Sequence, residues 1–158
     1  MNEEAKKKIL RKIPYGLYVI GVKGENACHA FTGSWLSQCS MRPPKVMLGV
    51  RHGTHSLDLL KEGKAFSVNF LGKSDTKVFE QFFKATPSNG DRFGEIAFSL
   101  KKTGTPILAK SIHYLECVVS DILEVGDHSV VVGEVVEAEV VRDEPPLVMS
   151  DTPWHYGG

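Results

Sequence analysis

No apolar run in the 158-residue chain approaches the roughly 18 residues that a membrane-spanning helix needs, so a membrane partner is not expected. Charge of neither sign is in surplus: 19 Lys and Arg balance 19 Asp and Glu. Nucleic acid is therefore not an expected partner either, because its recognition calls for a clustered basic face. Cysteine is scarce. Cys28, Cys39 and Cys117 are odd in number and form no C-x-x-C pair, which fits reduced thiols in a cytoplasmic protein, with small apolar filler as their plain role. The opening stretch MNEEAKKKILRKI is charged throughout and lacks the apolar centre of a signal peptide. A G-x-G-x-x-G after the first strand, an internal repeat and a low-complexity tract are all missing, and the first of these argues against a Rossmann domain.

What remains is ordinary globular composition, 42% hydrophobic and 24% charged, of a size suited to one domain over residues 1–158. Ala5, Ile9 and Ile13 share one face of a short opening helix that Pro14 stops. Tyr15–Val22 reads as a strand, followed by a turn at Lys23–Asn26. A second strand runs from Ala27 towards Ser40 and ends before Pro43-Pro44, and Lys45–Arg51 is a third. Thr54 is placed to cap a short helix, Ala65–Leu71 is a fourth strand, and Ser74 is placed to cap a helix striped with Val78, Phe79, Phe82 and Phe83. A long loop, Ala85–Lys102, carries a short strand at Ile96–Leu100. Two long valine-rich strands, His113–Val125 and Ser129–Arg142, flank a tight turn, and a tail follows Glu144-Pro145-Pro146. Few helices and no βαβ alternation mean a mainly β, mostly antiparallel barrel.

Three places break the pattern. Thr32-Gly33-Ser34-Trp35-Leu36-Ser37-Gln38-Cys39-Ser40 sets hydroxyls, an amide and a glycine where a core strand should alternate. Small polar groups and close backbone suit a flat heteroaromatic ligand; a loop or a polar edge strand is the plain alternative. Val50-Arg51-His52-Gly53-Thr54-His55-Ser56 gathers cationic and hydroxyl groups at a helix start, which suits a phosphate, or is simply a solvated cap. His52 and His55 lack further ligands for a metal set, so no metal site is expected. At the hairpin tip Gly126-Asp127-His128, His128 is a hydrogen-bonding candidate or an ordinary turn residue, and His29 and His113 read as structural.

Together, Ile13–Ile20, Phe31–Pro44, Phe66–Leu71 and Gly126–Val135, in this order and spacing, resemble the flavin reductase-like family of FMN-binding split barrels over nearly the whole chain. The resemblance implies an antiparallel split β-barrel with a few short helices, forming a homodimer with FMN at its interface. Carried over to this sequence, it implies that Thr32 and Ser34, Trp35, Leu36, Ser37, Gln38, Cys39 and Ser40 cradle the isoalloxazine and ribityl chain. Arg51, His52, His55 and Ser56 then meet the phosphate, Asn69 lies near the flavin, and His128 approaches the nicotinamide of NAD(P)H. Trp154 and Tyr156 become interface or flavin-covering groups. Where many family members have Ser-Leu-Asp-Pro-Pro, this chain has Cys39-Ser40-Met41-Arg42-Pro43-Pro44, and Trp35 replaces a small residue. Both features look closer to the flavoredoxin-like and ferric-reductase-like branch and to the module fused to some flavodiiron proteins. The implied activity is an NAD(P)H-dependent flavin or ferric reductase. A non-enzymatic FMN electron carrier fed by a redox protein partner is the alternative.

Overall fold

The computed structural model describes all residues, Met1–Gly158. Its elements in chain order are α1 (Glu3–Leu10), β1 (Tyr18–Lys23), β2 (Cys28–Gly33), β3 (Leu36–Met41), β4 (Pro44–Arg51), α2 (His55–Gly63), β5 (Ala65–Phe70) and α3 (Thr76–Glu80). They continue with β6 (Thr86–Pro87), β7 (Arg92–Phe93), β8 (Ile96–Leu100), β9 (Pro106–Leu108), β10 (His113–Val125) and β11 (His128–Val140). Eight strands form one antiparallel sheet in the order β3-β4-β11-β10-β5-β1-β2-β6, and β7-β8-β9 form a small second sheet. The fold is thus mainly β and antiparallel, as its alternating valine-rich segments require.

The hydrogen-bonded ladder does not close into the expected barrel: β3 and β6 are its edges. The sheet nevertheless curls around one core, in which Ile20, Phe31, Leu48, Phe66, Val68, Cys117 and Val131 from six strands pack against Leu57, Leu59 and Leu60 of α2. The curl brings β2 against β4 through side chains alone. Gly33 sits at this seam, where a Cβ would lie 3.0 Å from Ile20 Cγ1 and 3.1 Å from Leu48 Cδ1. The single strand expected from Ala27 to Ser40 therefore becomes two. β2 pairs with β1, the chain breaks step at Ser34-Trp35, and β3 crosses to pair with β4.

Other boundaries move for local reasons. α1 stops at Leu10 rather than at Pro14 and has no buried residue, so its apolar face finds no core to extend it. Thr54 stands at the N-cap of α2, but its hydroxyl turns back to donate to the Arg51 carbonyl at 2.8 Å. Asp75, not Ser74, precedes α3, because Lys73–Asp75 first tightens into a 3₁₀ turn. The presumed loop after Ala85 contains β6 and β7 as well as β8, and β9 follows it. The last segment is packed rather than loose: Leu147 is fully buried and its N–H donates to the Leu71 carbonyl at 2.8 Å.

Polar side chains tie the small sheet to the large one. Asn69 on β5 is completely buried; its amide N–H groups donate to the carbonyls of Val19 and Pro106, and its oxygen accepts from Leu108 N–H at 2.8 Å and the Ser111 hydroxyl at 2.9 Å. Buried Glu116 likewise accepts from the N–H groups of Lys102 and Thr103, pinning the turn before β9. Burial, with the neighbouring Glu116 charge, pushes the Cys117 thiol up to about 12, so it serves as apolar filler.

Replacing Asn69 tests how much this clamp carries. Each buried polar group left unpaired costs about 1–3 kcal/mol. Asn69→Ala is expected to lower the unfolding free energy by at least about 2 kcal/mol, read as a lower urea midpoint at unchanged m-value.

Candidate functional site

The seam between β2 and β4 opens into a cleft of about 480 Å³. That size falls within the range of small-molecule sites, about 300–1,000 Å³. Its walls differ in chemistry. Thr32 and Ser34 at the end of β2, Arg51 at the end of β4, and Thr54 and Ser56 at the start of α2 supply hydroxyls and one cation. Phe79 of α3 and Phe83 just after it, with Met149, Trp154 and Tyr156 from the last segment, supply an apolar and aromatic side.

The polar end follows from how α2 begins. The first intrahelical bonds run from Leu57 and Asp58 N–H to the Thr54 carbonyl, which leaves the N–H groups of His55 and Ser56 at the open end of the helix. The dipole's positive end and the Arg51 guanidinium thus bear on one wall, which suits an anion. The aromatic end is built by packing. Trp154 stacks on Phe79, with centroids 5.5 Å apart, and meets Phe83 edge-on at 5.1 Å.

Beside the cleft is a second constellation. His128 stands first on β11, cross-strand from Arg51, and is 8% exposed. Its Nδ1 bonds Asp127 Oδ1 at 2.7 Å, its Nε2 bonds the Tyr156 hydroxyl at 2.9 Å, and its ring lies 4.5 Å from that of Trp35. With Asp127 accepting from Nδ1–H, a neutral imidazole presents its lone pair at Nε2 to the Tyr156 O–H. The Trp35 ring fits because residue 49 is glycine; a Cβ there would lie 3.0 Å from the indole. The hydrogen bond from His128 holds the Asp127 carboxyl below the usual carboxylate range, while burial pushes the Tyr156 phenol up.

The residues singled out in the sequence separate into groups. Thr32, Ser34, Arg51 and Ser56 line the cleft, while Trp35 and His128 stand at its side with Tyr156. Leu36 is half-buried against the core, and Ser37, Gln38 and Cys39 are exposed on edge strand β3. Ser40 donates to the Pro43 carbonyl at 2.6 Å. His52 is tied to Ser129 at 3.0 Å, and His55 meets the His29 ring edge-on at 5.2 Å. Asn69 lies in the core with its amide fully engaged by protein. Phe79 and Phe83 escaped sequence reasoning because an apolar stripe looks the same whether it faces core or cleft, and Met149 because nothing local marks it.

The model of the family "Flavin reductase like domain" matches residues 10–157. The chain belongs to this family. It is 32% identical to the flavin reductase HpaC, solved in complex with NADP⁺, with a TM-score of 0.80 and 97% of each chain covered. The FMN-binding protein of Thermus thermophilus shares the fold, with a TM-score of 0.72 at 22% identity, over 82% of this chain and 72% of that one. Diflavin flavoprotein A 1 of Synechocystis is 30% identical over 138 residues, which are 87% of this chain and 24% of that protein. The flavin reductase-like domain therefore spans about a quarter of the diflavin flavoproteins it matches. No helix of the structure is long and apolar enough to cross a membrane.

Carbon-detected titration of the Asp127 carboxyl is expected to give a value below the ordinary carboxylate pKa of about 3.9, and His128→Ala is expected to return it to that range. Because the folded value is the lower one, the stabilisation is present above the unfolded pKa and is lost as pH falls through the folded one.

Proposed function

We propose that residues 1–158 form a single FMN-binding split-barrel domain that passes electrons from NAD(P)H through FMN to a flavin, ferric iron or a redox protein, acting in the cytoplasm as a homodimer. The observation that carries this reading is the cleft at the sheet's seam, with an anion-suited wall and an aromatic wall, in a chain of the flavin reductase-like family.

The residues fit such a cofactor. Arg51, with the hydroxyls of Thr54 and Ser56 and the free N–H groups of α2, would hold the phosphate. Thr32 and Ser34 would hydrogen-bond the ribityl chain and ring edge. The indole N–H of Trp35 is buried without a partner and is one further donor at the cleft's side. Bound FMN supplies the redox chemistry, accepting hydride and releasing electrons singly or in pairs. The protein binds the phosphate, matches the ring's polar edge and orients the nucleotide, with His128 as the nicotinamide-positioning group. No side chain need act as acid or nucleophile.

Several of the proposed contacts require a second copy. Ser37, Gln38 and Cys39 face outward on β3, and Met41 and Met47 are exposed on β3 and β4. A neighbour laid against this edge would cover the methionines and set its ring against the edge that carries these side chains. His52, His55 and Ser40 stay with the phosphate and ribityl side in this proposal, and Asn69 supports the flavin-bearing strands from within the core.

The carrier alternative is favoured by one feature: the Nε2 atom of His128 is already bonded to Tyr156. Anaerobic addition of NADH and NADPH to FMN-loaded protein decides between them. Bleaching of the flavin supports the reductase; an unreduced flavin that still accepts electrons from dithionite supports the carrier.

Arg51→Ala is expected to remove a charge-assisted bond worth about 1.5–3 kcal/mol, weakening FMN binding about 10- to 150-fold. Riboflavin, which has no phosphate, should bind the variant and the parent equally in the same fluorescence titration. Equal losses for both ligands, or no uptake of FMN by either protein, would overturn the assignment.

A further inference from the structure

The segment that closes the cleft has an unusual attachment. Beyond Thr152 it has neither strand nor helix, and none of its N–H groups donates to a backbone carbonyl. It is held by side chains, with Arg11 Nε–H donating to the Gly157 carbonyl at 3.4 Å and two aromatic anchors inside the cleft. Trp154 is wedged against Phe79 and Phe83, and the Tyr156 hydroxyl is hydrogen-bonded to His128 Nε2 at 2.9 Å. Tyr156 also meets the Trp35 ring edge-on at 5.2 Å. Gly157 lies directly on the indole, where a Cβ would come within 2.9 Å of Cζ2.

Two consequences follow from elementary bonding. An imidazole whose Nδ1–H is given to Asp127 has one bonding direction left, at Nε2, and Tyr156 takes it. The exposed side of Trp35, the flat surface nearest that nitrogen, is covered by the chain's own backbone. The covering is also imperfect, since Trp35 Nε1–H is sealed without an acceptor, a condition that opposes closure.

We propose that Trp154–Gly157 is a self-occluding strap. Tyr156 and Gly157 occupy the place beside His128 and Trp35 that a nicotinamide nucleotide must enter, and nucleotide binding displaces them. The proposal rests on the reading of His128 as the nicotinamide-facing residue. A ligand that binds only the strap-open state loses affinity in proportion to how seldom that state is populated. Weakening the strap must therefore tighten nucleotide binding, the opposite of what loss of a direct contact would do.

The test uses FMN-loaded protein and oxidised nucleotides, NAD⁺ and NADP⁺, so that no turnover intervenes. Tyr156→Phe removes one neutral hydrogen bond and is expected to lower the nucleotide dissociation constant about two- to tenfold. Trp154→Ala, which frees the other anchor, should act in the same direction. Weaker binding in Tyr156→Phe would overturn the proposal and make the segment a lid that closes on its ligand. Unchanged binding in both variants would overturn the strap alone. If neither nucleotide binds to the parent or to either variant, the nicotinamide reading fails and the strap proposal fails with it.

Discussion

β2 and β4 touch through side chains and not through a hydrogen-bond ladder, and the rest of the structure depends on that arrangement. Gly33, with no Cβ, lets the end of β2 pass over Ile20 and Leu48, so the sheet can curl around its core without closing. A ladder at this seam would have filled the gap with backbone. Instead the strand ends splay, and their small polar residues, Thr32 and Ser34, face the start of α2 across a cleft. The chain then crosses the gap through Ser34-Trp35, which leaves β3 as an edge with exposed polar side chains. An edge of this kind is open to further pairing or covering, which is why a second copy enters the functional proposal.

Electrostatic features cluster on the same side although the chain as a whole is neutral. Arg51, the open end of α2 and the Asp127–His128–Tyr156 chain all follow from the pairing of β4 with β11, which sets Arg51 opposite His128. Asp127 is lowered because it accepts from His128, and Tyr156 is raised because it is partly withdrawn from water. The result is a linked set of polar groups running from solvent to the cleft's mouth, resting on the Trp35 ring. Polar residues elsewhere have a different task. Asn69 and Glu116 are completely buried and hold loops and the small sheet in place.

The segment after residue 146 joins the two halves of this picture. Leu147 belongs to the core, Met149 and Trp154 finish the aromatic wall, and Tyr156 reaches His128. The contacts change from buried apolar packing to a few surface side-chain anchors along a dozen residues. Attachment of that kind allows the outer part to move while the inner part stays folded.

Much of this was legible in the amino-acid order. The period-two runs marked β1, β4, β5, β10 and β11, and the valine-rich pair with its short turn was recognisable because both strands are long and locally consistent. The run from Thr32 to Ser40 and the cluster around Arg51 stood out because hydroxyls and cations interrupt those periods, and seven of these residues do line the cleft. Local pattern could not tell that the first run changes partners at Ser34-Trp35, since the reason is a contact between Gly33 and residues of two other strands. Nor could it separate Asn69, whose partners lie on β1 and around β9, from a residue facing a ligand. The sequence by itself determined the mainly β class, the family and the chemistry available. Which polar groups became clamps, which became cleft walls, and that Tyr156 covers His128 were decided by tertiary structure alone, because each depends on a hydrogen bond or a packing contact between segments far apart in the chain.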